Sequence, residues 1–202
     1  MSQTAQSGAG SMQGRVRWKR FAFIMVPAAA VAATLVGLTA QGAIGANISV
    51  SGQEYLVTAN ELDGIGFEQF TAYIPQGRGS VPVAVTGIRA AKLINLCQVV
   101  SVAGIHLVTR AGSGSRPVLA SNLIVDTSAQ TGDAVFHHIA IGQDAATLTA
   151  VPGLTGAPGN FSEQAATVTI KHLVQATWLT TVGTFTLPGL SVKVSTHGPF
   201  CP

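Results

Sequence analysis

AATVTIKHLVQATW, residues 165–178, is the stretch on which the fold class turns. It is rich in Val, Thr and Ile, closes on Trp178 and contains neither Gly nor Pro. β-Branched and aromatic side chains fit a pleated, half-buried surface, so the stretch reads as a strand. The same period-two character recurs outward from it. Toward the N-terminus lie VPVAVTGI (81–88), KLINLCQVVSV (92–102), IHLVTR (105–110), RPVLASNLIVD (116–126) and DAVFHHIAI (133–141), and toward the C-terminus TFTLPGLSVKV (184–194). Earlier still, Ile48, Val50, Tyr55 and Val57 alternate around Ser-Gly-Gln. QGRGS (76–80), AGSGSRP (111–117), AQTGD (129–133) and VPGLTGAPGN (151–160) separate the runs and carry turn or loop chemistry. A helix is arguable only over Ala59–Phe70 and Ser162–Ala166, both short. The fold class is all-β.

A weak regularity runs through these strands. Asn95-Leu96, Asn122-Leu123, His138-Ile139, His172-Leu173 and Gly189-Leu190 each follow one strand-like run and precede another. Two of the spacings are 16 and 17 residues, the others 27 and 34. A β-solenoid coil would place Asn or Gly at each corner with about that repeat. Consecutive hairpins of a β-sandwich would give similar spacings. Both arrangements stay open.

The chain begins differently. Arg15, Arg17, Lys19 and Arg20 precede FAFIMVPAAAVAATLVGL, Phe21–Leu38, which is 18 residues without a charge. TAQGAIGA (39–46) follows as a small-residue exit. This three-part pattern is that of a secretory leader. The basic cluster stays on the cytoplasmic side, so the C-terminal part faces out. Residues 1–46 are therefore expected to form a hydrophobic leader helix that directs export of residues 47–202 as one domain. Cleavage is expected after Gly42, Gly45 or Ala46. The alternative is an uncleaved anchor through residues 21–38, just long enough to span a bilayer of about 30 Å. The membrane is thus a partner of the leader, before cleavage or without it.

The leader distorts the composition. All eight acidic residues but only seven of the eleven basic ones lie beyond residue 46, so the exported part carries one net negative charge. Its few cations are scattered, and nucleic acid is excluded as a partner. Only 9% of the chain is charged, against a usual quarter. Such a surface suits self-association, an envelope polymer or lipid. Cys97 and Cys201 are the two cysteines, and outside the cytoplasm an even pair reads as a disulfide.

No motif brings catalytic chemistry together. Gly-x-Ser-x-Gly on a strand-to-helix elbow is absent; QGRGSV and RAGSGSR are the nearest strings, and both read as hairpin loops. His137 and His138 are adjacent on a strand and point to opposite faces, so they cannot easily share a metal. Asp133 could join them only from elsewhere; one packed and one solvent-facing imidazole is the expectation. Asp126, Asp133 and Asp144 take loop-like positions without a calcium repeat around them. Gly64-Ile-Gly66 and GLTGAPG (153–159) lack the residues of a phosphate loop. No catalytic, cofactor or metal residue is assigned.

WKRFAFIMVP (18–27), NISVSGQEYLVTANELDGIGFEQF (47–70), INLCQ (94–98), QATWLTTVGTFTLPGLSVKV (175–194) and the near-terminal cysteine resemble small exported proteins of filamentous actinobacteria. That family is of unknown function and is often labelled "cholesterol esterase". The resemblance covers nearly the whole chain and implies pairing of Cys97 with Cys201. It implies no catalytic residues. The expectation is a non-enzymatic exported β-protein at the cell surface or in the envelope, structural or adhesive. A carrier of a lipid or other apolar ligand is the alternative, and a lipid-ester hydrolase ranks last.

Overall fold

The computed structural model describes residues 52–77, 79–198 and 201. The leader and its candidate cleavage points lie outside the described residues. Residues 48–202 form a compact unit of their own.

Four long strands build it: β1 (Tyr55–Gln76), β2 (Gly79–Ile94), β5 (Val118–His137) and β7 (Phe161–Thr181). β1 pairs antiparallel with β2, β2 with β5, β5 with β7, and β7 back with β1. The sheet therefore closes on itself as a four-stranded barrel. The all-β expectation holds. Its finer form is a single sheet curled shut, rather than two facing sheets or a stack of coils. Shorter strands are appended: β3 (Leu96–Val102), β4 (Ile105–Ala111), β6 (Ala140–Asp144), β8 (Thr184–Thr186) and β9 (Ser191–Ser195). β3, β4 and β9 extend from the first residues of β1, β6 borders β7, and β8 borders β5.

The long strands run 16 to 22 residues, against about 5–6 for a typical strand. The residues that recur before Leu or Ile explain how. Asn95, Asn122, His138, His172 and Gly189 all adopt left-handed backbone, with φ between +48° and +65°. They are kinks within or between strands, not solenoid corners. In β7, Val168 and Ile170 are buried before His172, and Leu173 and Thr177 after it, so the inward side changes parity. Asn122 does the same in β5, between Ala120 and Leu123. Such a bulge lets a strand keep its core contacts while it coils. At Asn95 and His138 the kink also hands the chain on. β2 gives way to β3 along the same edge of β1, and β5 gives way to β6 along β7.

Both helix expectations fail: 59–70 lies in β1 and 162–166 in β7. Their polar residues face partners across the sheet, as where Gln69 Nε2 donates to Thr86 Oγ1 at 2.6 Å. AQTGD is not a turn either. It lies inside β5, where its flexibility is spent on register shifts against β7. Asp126 and Asp133 are accordingly strand residues, and only Asp144 ends a strand.

The barrel is filled by Leu62, Phe67, Ile88, Leu123, Ile170 and Leu173 among others. Phe67 and Phe136 stack tilted, with ring centroids 5.0 Å apart. A second core holds Phe70, Ile74, Val83, Val85, Ala145 and Leu148 beneath a strap, residues 145–160. Asp144 caps its opening turn, accepting from the backbone N–H of Ala146 and of Gly159, and these donors hold its carboxyl below the usual carboxylate range. A third, small core packs Cys97, Val99 and Val108 against Cys201.

Candidate functional site

The barrel interior is the first place to look for a ligand. Its cavity measures about 50 Å³ and is walled by residues such as Leu62, Ile88, Leu123 and Ile170, with Gln130 and Gln175. Gln175 Nε2 donates to Gln130 Oε1 at 2.7 Å, so the amides satisfy each other. Pockets for small organic ligands run to about 300–1,000 Å³, and this one is too small for an acyl chain or a sterol. Larger concavities lie outside. An open cleft of about 620 Å³ between β1, β2 and β5 is lined by Gln69, Tyr73, Thr127, Ser128 and Gln130 with no charged side chain. A groove of about 470 Å³ beside Gly64 is lined by Ile65, Ala90, Leu119 and Val168, with Asp63 and Lys92 also in its wall.

Under the strap, Glu68 is fully buried. Its Oε2 accepts from the Val151 N–H at 3.0 Å, and its Oε1 has no hydrogen-bond partner among the described residues. Burial pushes its carboxyl above the usual range, against the opposing pull of the Val151 and Ala150 amides. Gly87 faces Glu68 across the β1–β2 ladder, and a Cβ there would collide with Leu154 and crowd Val151. The arrangement ties the strap to the barrel rather than aiming a carboxylate at solvent.

β3, β4 and β9 form an outlying sheet with two unlike faces. One carries Cys97, Val99, Ser101, His106, Val108, Arg110 and Lys193 by alternation of the ladder. The other carries Val100, Val102, Ile105, Leu107, Val192 and Val194 toward the hairpin tip, with Gln98 and Thr109 nearer the barrel. Val102 sits directly across from Ile105, and Leu107 across from both Val100 and Val194. Val102, Ile105 and Val192 are each just over half exposed, and Val194 is 70% exposed. The apolar face is contiguous and uncharged. The Cys97–Cys201 disulfide, with Cα atoms 5.9 Å apart and a sequence separation of 104, clamps the chain end against the opposite face.

On that opposite face Ser101 Oγ and His106 Nδ1 are 2.7 Å apart. The pair follows from the two-residue turn at Ala103-Gly104: counting back from it places Ser101 opposite His106, a local signal in the sequence that belongs to no catalytic motif. A serine beside an imidazole is half of a nucleophile–base arrangement. Ser101 also lines an open cleft of about 410 Å³ with Tyr55, Leu56, Val99 and Cys201, but the pair stands on an antiparallel ladder, without the strand-to-helix elbow that presents donors to a developing oxyanion in esterases. Ser113 and Ser115 sit together in an exposed loop, with their hydroxyls 3.3 Å apart.

His137 and His138 are both exposed, which corrects the expectation of one packed imidazole. The left-handed backbone of His138 breaks the alternation that would have turned one ring inward. Asp133 meets His172 Nδ1 instead, at 2.9 Å on the surface. Among the described residues no three His, Cys, Asp or Glu side chains gather as metal ligands, and no helix is long and apolar enough to cross a membrane.

No curated protein and no solved structure matches this chain. One family does, along the whole described barrel with its outlying sheet. The chain belongs to DUF6230, a family of unknown function, which it matches over residues 51–202.

Proposed function

We propose that this protein is an exported, non-enzymatic β-barrel with a structural or adhesive role at the cell surface or in the envelope. The observation that carries the reading is the uncharged apolar face of β3, β4 and β9. Contiguous apolar surface of this kind on a soluble domain marks a place where something else docks. The disulfide supports a compartment outside the cytoplasm, where such bonds persist. The leader pattern ahead of residue 47 supports the same compartment.

The test is the distribution of protein between envelope and medium in a producing host. Leu107→Ser combined with Val194→Ser is expected to move protein from envelope to medium. An unchanged distribution would refute the adhesive reading. A carrier of a lipid or other apolar ligand is the second reading, supported by the outer groove beside Gly64, since the interior is too small to enclose such a ligand.

A further inference from the structure

We infer that the β3–β4 hairpin tip, backed by β9, is a lipid-docking site that enters the boundary between headgroups and acyl chains of a bilayer. The inference rests on the adhesive reading and names what the apolar face adheres to.

The turn itself points to lipid. Ala103 and Gly104 form a two-residue hairpin loop with φ of +50° and +77°. Such turns favour Asn-Gly, because Asn tolerates left-handed backbone and keeps a polar group in water. Among the described residues, the other four left-handed positions besides glycines are Asn95, Asn122, His138 and His172, and all are polar. Ala103 alone accepts the strain with a methyl group. Val102 and Ile105 flank it, so the tip is apolar to its end and projects beyond the buried part of the sheet.

A second copy pairing edge to edge fits less well. β9 is the outer strand of this sheet, and Lys193 on it is the kind of residue that deters edge-to-edge pairing. The chain's own layout favours a membrane. With residues 21–38 kept as the uncleaved anchor, only residues 39–54 would separate that stretch from β1, 16 residues that reach at most about 55 Å when extended. β1 starts beside β3, with Leu56 paired to Val99. Because Arg110 and Lys193 lie on the other face, the docking face offers nothing for anionic headgroups to attract. Lipid binding should therefore depend on apolar contact alone.

The experiment is co-flotation of residues 47–202, a unit with its own cores, with phosphatidylcholine vesicles and with vesicles that also contain phosphatidylglycerol. Binding is expected to be equal on both and unchanged by salt. Val102→Asp with Ile105→Asp should weaken it at least tenfold, while Ile141→Asp, on exposed β6, should leave it intact. Ala103→Asn should raise the melting temperature yet weaken binding severalfold, opposite signs that a purely structural turn would not give. Failure of the unsubstituted protein to float, loss through Ile141→Asp, or binding confined to anionic vesicles and abolished by salt would each overturn the lipid site. So would a dimer in ultracentrifugation that Val102→Asp with Ile105→Asp dissolves without any vesicle binding. Envelope retention through Leu107 and Val194 without vesicle binding would overturn the lipid site and leave the adhesive reading standing.

Discussion

Replacing both cysteines by alanine should remove a large share of the stability of the barrel unit. The bond joins Cys97 in β3 to Cys201, closing a loop with a separation of 104 residues. In the chain-entropy account, a loop of this size restricts the unfolded chain by about 4–5 kcal/mol. Native-state relaxation trims this, and we expect a loss of about 4 kcal/mol for Cys97→Ala with Cys201→Ala. For a domain of this length that corresponds to a fall in Tm of about 10–15 °C. Alanine is chosen because Cys97 is only 2% exposed, and serine would bury a hydroxyl there. The loss should also be uneven. Cys201 packs on the small core of Cys97, Val99 and Val108, so amide exchange should quicken in β3, β4 and β9 before it does in β1 or β7. Urea unfolding gives the total and hydrogen exchange gives the distribution. A double variant within about 0.5 kcal/mol of the parent would refute the loop argument. Equal acceleration across every strand would refute the local one.

Glu68→Gln should raise stability at neutral pH and flatten its pH dependence. Burial raises the folded pKa, so Glu68 contributes fully below its unfolded pKa and that contribution is lost as pH rises through the folded value; Asp126 and Glu163, raised by burial as well, leave a residual slope of the same sign. Urea midpoints across the acid-to-neutral range check this, and an unaltered slope would contradict it. Gly66→Ala should cost about 2–4 kcal/mol, because φ is +70° and a Cβ would stand 2.5 Å from the Ala150 carbonyl oxygen; a neutral result by thermal melting would mean that the strap moves freely. Nitrophenyl and cholesteryl esters should be hydrolysed only at the buffer rate by the parent and by Ser80→Ala, Ser101→Ala, Ser113→Ala and Ser115→Ala alike. Turnover that Ser101→Ala abolishes would make the Ser101–His106 pair catalytic.

How much of this could be read from residues alone depends on the range of the interaction. Period two over 81–88, 105–110 and 165–178 marks strands, because the alternation is local and each run is half-buried. The recurring Asn, His or Gly before Leu or Ile is visible as well, and all five of those positions are left-handed. Its meaning was not visible: the same residue can end a strand or kink it, and only a partner strand decides which. AQTGD shows the difficulty. Its composition is that of a turn, yet β7 holds it extended by pairing with β5. ANELDGIGFEQF looks polar enough for a surface helix until β2 and β7 flank it on both edges. The docking face was hidden for the same reason. Val192 and Val194 meet the hairpin only through the pairing of β9 with β4, from a position some eighty residues further along the chain. Ser101 and His106 are the counterexample, since a two-residue turn sets their register within a few positions.

The seam between β1 and β7 has a consequence for the order in which the molecule can form. Leu62 pairs with Ile170, and Phe70 with Ser162, so the barrel's opening strand stays without its second neighbour until the closing strand has arrived. Contacts this distant in sequence form slowly, because a long loop must be gathered before any of them is made. Cys201 comes later still, after every strand. A chain emerging N-terminus first therefore passes most of its length with neither seam nor cross-link closed. Under the export proposed above, that delay would keep the polypeptide thin enough to pass a membrane channel and postpone locking until it has reached the far side.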